Sequence, residues 1–435
     1  MIAMLTACSV RRLGGKNVFL SFYDPNKEEY LTVDLGGHDP TRLSDCRYLA
    51  QLVGIGPSVF LYKQLKRKYA GRFVANVLHR TKLHYRRMRA DRTFFAKLGI
   101  DLDSLAHASH YRSMDGFARA GDVILLMDAG WDVPELETAL LRVKKRGATV
   151  VSLIHDIIPI SHPQFVSKEA TRRFEEWLIG TVNYSTLFLA NSVNTGRALV
   201  TFLETRGVKI EVKPVPLAQE KLPSVASGNA LRDMRLTQDA LDASDAVQCL
   251  LSQKYVLFVG SRDIRKNLLR LAQAWDLLRA EHTNLPLLVI AGGKGGGNEQ
   301  FDDFMEKTSY LDDKVRIVDH PSDELLDLLY RHCLFTVYPS LFEGWGLPVG
   351  ESLSYGKCVV ASNTSSIPEV AGPLGIYCDP TSVESIARAA MKLIADEPMR
   401  ISLENTIRGT RLRSWQNVCD DLLKATAHPS ASLSQ

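Results

Sequence analysis

The sequence predicts an α/β protein built from two domains of parallel sheet with crossover helices. Three observations predict it. Short apolar runs alternate with longer amphipathic ones, a Pro-, Ser- and Gly-bearing stretch separates two such series, and the chain has 435 residues. That length exceeds one compact core and suits two or three ordinary domains. With 45% hydrophobic and 23% charged residues, the composition excludes a mostly disordered, collagen-like or disulfide-dense chain.

The opening MIAMLTACSV is apolar, lacks a basic lead-in and ends at Arg11 and Arg12, which predicts a first β-strand rather than a signal peptide. Further strands are predicted at Val123–Met127, Thr149–Ile154, Thr186–Ala190, Tyr255–Val259, Leu287–Ala291, Val315–Val318, Phe335–Tyr338 and Cys358–Ala361. Most are continuous apolar runs, as strands covered on both faces require. Helical patterns fall at Asn267–Arg279, Glu324–Tyr330 and Val383–Ala395. The predicted layout is a first Rossmann-like domain over 1–216, a linker over 217–253 and a second Rossmann-like domain over 254–400. A C-terminal helix over 401–425 returns to the first domain, and 426–435 form a frayed tail.

Seven cysteines, at 8, 46, 249, 333, 358, 378 and 419, are scattered without a Cys-x-x-Cys pair. A disulfide framework or structural zinc site is not expected, and a reducing compartment is. No run of 18 apolar residues exists, so no bilayer span is expected. Between Lys63 and Arg92 eleven Lys and Arg face one acid, Asp91; that segment carries +10 of a net +4, leaving −6 elsewhere. Apolar residues at 62, 65, 69, 73, 74, 77 and 78 form a helical stripe beside Lys63, Lys66, Arg67 and Arg72. A basic amphipathic helix of this kind suits peripheral contact with an anionic membrane, and equally a solvated face over an ordinary core. No nucleic-acid motif accompanies it, and no nucleic-acid partner is expected.

Three segments carry chemistry. In residues 338–372 a strand leads through Gly344, Trp345, Gly346 and Leu347 into a helix whose first position suits Pro348. Such a turn presents backbone N–H groups to phosphate. Glu343 precedes the turn and Glu351 falls within the first helical turn, eight residues on. Both fit as acceptors for sugar hydroxyls beside a diphosphate; spacing alone also allows a solvated Glu343 and a dipole-complementing Glu351. Ser366 and Glu369 have the spacing of a capping box. In 255–275, a strand ends at Gly260 and Arg265 and Lys266 sit on the following turn, at the carboxyl end where open sheets bind ligands. They suit the charge of a departing diphosphate without a metal, or are ordinary surface cations. In 151–163, His155 and Asp156 follow a strand directly, and a lone His there is catalytic or structural. The Gly-rich run 291–298 gives no clean G-x-G-x-x-G, which disfavours a dehydrogenase and leaves a flexible loop lining a nucleotide site.

Together these segments resemble the family 4 retaining glycosyltransferases of the GT-B fold, two Rossmann-like domains facing a central cleft. The family's Glu-x7-Glu motif corresponds to Glu343 through Glu351, its RKN turn to Arg265, Lys266 and Asn267, and its HD-x-I-P stretch to His155–Pro159. Residues 288–297 and 315–333 fit in order and spacing, and the bacterial mannosyltransferase-like branch fits best. The resemblance implies that Glu343 contacts donor-sugar hydroxyls, Glu351 the ribose, Arg265 and Lys266 the diphosphate, and that His155 sits near the transferred sugar. The backbone of 344–347 would hold phosphate, with Gly260 beside it. Gly14 and Gly15 are the nearest candidates for the family's first Gly loop, in a region, 16–118, that matches poorly and leaves the acceptor open.

The resemblance further implies a cytoplasmic enzyme, at most peripheral to the inner face of the membrane, that acts in exopolysaccharide or O-antigen (lipopolysaccharide) synthesis. It would transfer mannose from GDP-mannose to a lipid-linked or growing glycan. It would need no cofactor and no metal, so Asp101 and Asp103 are discounted as ligands. Other readings stay open at this point: a UDP-, ADP- or dTDP-linked hexose donor, an epimerase, or a noncatalytic binding protein of the same fold.

Overall fold

The structure, a computed structural model, describes residues 5, 8–9, 12–13, 18–24, 29–35, 38–43, 112–127, 136–221 and 248–427. Gly14, Gly15, the basic segment 62–92, Asp101, Asp103, residues 222–247 of the expected linker and 428–435 lie outside these.

Packing divides the chain into two compact units, Met1–Asp122 with Glu135–Ala148, and Val123–Pro134 with Thr149–Gln435. The division does not fall at 217–253, where composition marks a linker. The sheet that precedes that segment is fastened to the one that follows it by side chains given below.

In the first unit, Leu5, Cys8 and Ser9 have helical backbone, and the Ser9 hydroxyl donates to the Leu5 carbonyl at 2.7 Å. This corrects the strand expected for the opening residues: an i−4 hydroxyl bond belongs to a helix. Strands β1 (Phe19–Asp24), β2 (Glu29–Asp34) and β3 (Arg112–Ser113) form an antiparallel sheet in that order. Phe19 meets Phe117 edge-on at 4.6 Å beside it.

The second unit carries two parallel sheets. The first contains β4 (Val123–Leu126), β5 (Thr149–Ile154), β6 (Leu187–Ala190) and β7 (Glu211–Pro214), paired in chain order. Its core joins Ile154, Phe188, Phe174, Leu178, Leu199 and Phe202. The second contains β8 (Tyr255–Val259), β9 (Leu287–Ala291), β10 (Val315–Val318), β11 (Thr336–Tyr338), β12 (Val359–Ser362) and β13 (Gly375–Cys378). Their spatial order is β10-β9-β8-β11-β12-β13. This is the doubly wound order in which connections leave in opposite directions from β8 and β11, opening a crevice at their carboxyl ends. Arg265 and Lys266 follow β8, and Glu343 follows β11, so the order places them on the two sides of that crevice.

The C-terminal segment forms two helices, Glu397–Gly409 and Trp415–Ala427, rather than one over 401–425. Between them Arg413 donates to the Pro216 carbonyl at 2.9 Å through Nε, and its N–H to Gln219 Oε1 at 2.9 Å. Among the described residues no helix is long and apolar enough to cross a membrane, and the six described cysteines are free thiols.

Candidate active site

A short 3-10 turn, Ile264–Lys266, follows β8 and is closed by Asn267 at φ 65°, in the left-handed region that Asn tolerates. The Asn267 amide donates to the carbonyls of Pro339 (2.9 Å) and Pro380 (2.7 Å). That fastens the cationic turn to the loop after β11, and the backbone N–H of Leu341 returns a bond to the Arg265 carbonyl at 2.8 Å.

Across the crevice Glu343 is buried, 6% exposed. Its Oε2 accepts from Arg265 at 2.5 Å, and its Oε1 from Lys266 Nζ at 2.7 Å and the Tyr338 hydroxyl at 3.0 Å. Lys266 Nζ also donates to the Tyr338 hydroxyl. Burial alone would push the Glu343 carboxyl up; the Lys266 and Arg265 charges overcome it and hold it below the ordinary range. Two cations against one carboxylate leave one unit of positive charge. A carboxylate has about four lone-pair sites. Two on Oε1 and one on Oε2 are filled among the described residues, which leaves one on Oε2.

The next residues join the two parallel sheets. A Cβ at Gly344 would lie 2.1 Å from the His155 carbonyl oxygen, so only glycine lets the backbone after β11 approach the end of β5. Gly346 is the helix N-cap at φ 113°, and a Cβ there would meet Ile367 at 2.5 Å. Trp345 is buried, with its indole N–H on the Ala218 carbonyl at 3.1 Å. Its side chain is structural, leaving its backbone to the site. The helix is Leu347–Ser354, so Pro348 is its second residue, and Glu351 lies past the first turn, which holds no acid. This corrects the first-turn placement. Glu351 Oε2 accepts from the Tyr330 hydroxyl at 2.8 Å, and burial raises its carboxyl above the usual range.

His155 Nε2 donates to the Met127 carbonyl at 2.8 Å, which turns its ring toward the end of β4. Asp156, beside it, accepts from the Ile158 N–H at 3.0 Å, and burial pushes its carboxyl up. The structure therefore brings Arg265, Lys266 and Glu343 into direct contact and sets His155 against Gly344 through backbone. Glu351 stands apart, on Tyr330. Gly260, at φ 153°, closes β8, and a Cβ at Gly292 would lie 2.0 Å from its carbonyl oxygen. The Gly-rich run is not a loose loop: the N–H groups of Arg262 and Ile264 donate to the carbonyls of Gly293 (2.9 Å) and Gly296 (3.2 Å).

Sequence reasoning missed Tyr338, whose only signal was its place at the end of an apolar strand before Pro339. It also misassigned Ser366 and Glu369. The Ser366 hydroxyl does not cap its own helix; it bonds the carbonyls of Glu343 (2.9 Å) and Trp345 (2.8 Å). The Glu369 carboxylate accepts instead from Val193 (2.7 Å) and Asn194 (2.8 Å). Spacing describes a capping box, but both groups found tertiary partners.

Residues 246–410 match the family described as Glycosyl transferases group 1. In sequence family and in fold the chain resembles GT-B glycosyltransferases of the bacterial mannosyltransferase kind, as its motifs implied. Over 276 residues it is 27% identical to O-antigen chain mannosyltransferase B of Escherichia coli, covering 63% of this chain and 69% of that one. The serotype-specific mannosyltransferase WbdA of Escherichia coli is 24% identical over 275 residues, 61% of this chain but 32% of that longer relative. Among solved structures, a UDP-forming α,α-trehalose-phosphate synthase from Burkholderia xenovorans superposes with a TM-score of 0.53 at 14% identity, over 75% of this chain and 78% of that one. Anabaena HepE in complex with UDP and glucose gives 0.53 at 15% identity, over 70% and 77%.

Proposed function

We propose that the chain is a retaining hexosyltransferase that moves mannose from GDP-mannose onto a lipid-linked or growing glycan in bacterial exopolysaccharide or O-antigen synthesis. The observation that carries the reading is the Arg265–Lys266–Glu343 cluster at the crevice between β8 and β11, beside a helix N-terminus opened by glycines. Mannose is favoured by the names of the similar curated proteins. A UDP-linked hexose is the second reading, favoured by the fold shared with a structure holding UDP and glucose.

The chemistry asked of these residues is electrostatic. Arg265 and Lys266 hold the diphosphate with the N–H groups that Glu343 leaves unused, and the N–H groups at the start of the Leu347–Ser354 helix add to them. The free lone pair of Glu343 orients a sugar hydroxyl, and Glu351 takes the ribose. His155 stands beside the transferred sugar. The bond from the anomeric carbon to the diphosphate breaks, its electron pair leaving with the phosphate oxygen. The acceptor hydroxyl bonds the same carbon from the same face, and its proton passes to the departing phosphate. No side chain serves as nucleophile, and no metal is required for this charge balance.

Calorimetric titration with GDP, UDP, ADP and dTDP, without added metal, tests the donor. Preference for GDP supports the first reading, preference for UDP the second, and binding of none by folded protein overturns both. Arg265→Ala with Lys266→Ala is expected to weaken the preferred diphosphate at least tenfold, and unchanged affinity removes the pair from the site. Turnover of free nucleotide sugar without a glycan acceptor would mean an epimerase, and nucleotide binding without any turnover a binding protein.

A further inference from the structure

The helix Val193–Glu204 follows β6 of the four-stranded sheet, and its first N–H groups have no partners within the helix. Ser192 supplies one: its hydroxyl accepts from the Thr195 N–H at 3.0 Å. The other two are taken by a single carboxylate 176 residues away, Glu369 Oε2 on Val193 and Oε1 on Asn194. Glu369 belongs to the short helix Ile367–Ala371 after β12 of the six-stranded sheet. Ser366, the residue just before that helix and three before Glu369, clasps the Glu343–Trp345 loop through two carbonyls. Thr195 closes the ring by donating from its hydroxyl to the Gly344 carbonyl at 3.3 Å. One turn of chain, 366–369, therefore grips both the loop that carries Glu343 and the helix that follows β6.

We infer that Glu369 is a positioning residue that holds the carboxyl ends of the two parallel sheets in register, so that His155 on one and Glu343 on the other act on the same bound sugar. Its partners are neutral N–H groups at a helix N-terminus, where a carboxylate is favoured by the dipole and by charge-assisted hydrogen bonds. Among the described residues no hydrogen bond or ion pair joins it to Arg265, Lys266 or Glu343, so its effect is on the relation between the two sheets and not on the charge of the diphosphate site. The role in transfer rests on the function proposed above; the fastening itself does not.

The test compares wild type, Glu369→Ala and Glu369→Gln by amide hydrogen exchange, nucleotide calorimetry and transfer kinetics. Glu369→Ala is expected to speed exchange at Val193 and Asn194 at least tenfold while Thr195, capped by Ser192, changes less. Transfer kcat is expected to fall at least tenfold with diphosphate affinity held within twofold, because the diphosphate ligands lie on the six-stranded sheet alone. Glu369→Gln keeps one acceptor oxygen and is expected to fall between the two. Unchanged exchange at Val193 and Asn194 overturns the fastening, and unchanged kcat, or kcat and diphosphate affinity falling together, overturns the positioning role. Should wild type neither bind nucleotide nor transfer sugar, the proposed function fails, the positioning role falls with it, and the exchange rates still judge the fastening.

Discussion

Glu343 is the residue on which the site turns. Three donors converge on a carboxylate that water barely reaches. Removing one partner of a buried pair costs about 3 kcal/mol or more, because the other charges are left buried. Glu343→Gln is therefore expected to lower unfolding stability by about that much in urea at neutral pH, and to abolish transfer. The sign of the pH dependence follows from the depressed carboxyl. The pairing stabilises fully above the titration of an unfolded glutamate, about pH 4.3, and the gain is lost as pH falls through the lower folded value. Urea curves of wild type and variant should converge on acidification; a constant gap would mean that Glu343 is held by shape alone. Tyr338 makes a second, gentler test. Tyr338→Phe removes only the hydroxyl that bridges Lys266 and Glu343, and should cost about 1–2 kcal/mol as a lost buried hydrogen bond. The circular dichroism should not change, while kcat falls and the acid limb of the rate profile moves upward. None of this was visible in the sequence beyond residue type. Arg265, Lys266 and Glu343 could be placed near one another by their motifs, but a network through Tyr338 depends on tertiary distances.

At the scale of elements, the legible parts were those whose pattern is set by double-sided burial. Thr149–Ile154, Tyr255–Val259 and Leu287–Ala291 were read with the bounds they have. Val315–Val318, an edge strand with one buried residue of four, was read as well, from its β-branched residues rather than from burial. The strands Glu211–Pro214 and Gly375–Cys378 were not read. Each is the last strand of its sheet among the described residues, and neither is the continuous buried run that a central strand shows. The opening residues failed for the opposite reason: an apolar run too short to show a period fits strand and helix alike. The glycine turn was read as a phosphate cradle, but its closeness to His155 was not, since a glycine needed for a neighbour 189 residues away leaves no local signature. Gly344→Ala tests that approach. Its Cβ would force the end of β5 and the start of the Leu347–Ser354 helix apart, so transfer should be lost while diphosphate affinity falls less than in Arg265→Ala with Lys266→Ala, whose charges supply the larger part of the binding. Retained transfer would mean that the contact relaxes without cost.

For the whole molecule, charge is distributed as unevenly as structure. The +10 of residues 63–92 sits outside the described residues, and its proposed role is at a membrane surface, each cation near an anionic bilayer adding about 1 kcal/mol. Reversing Lys66, Arg67 and Arg72 to Glu should weaken sedimentation with phosphatidylserine-containing vesicles and leave nucleotide affinity intact. Unaltered vesicle binding would return the segment to the role of a solvated face.

The cap on the Val193–Glu204 helix also imposes an order on synthesis. At roughly 5–20 residues per second, Glu369 emerges from the ribosome on the order of 10–35 s after Val193 and Asn194. Until it does, those two N–H groups face water, and the four-stranded sheet is built without the carboxylate that finishes its helix. The half of the chain made first is thus completed by the half made last, so a nascent chain stalled before residue 369 carries the whole of that sheet and an open helix end.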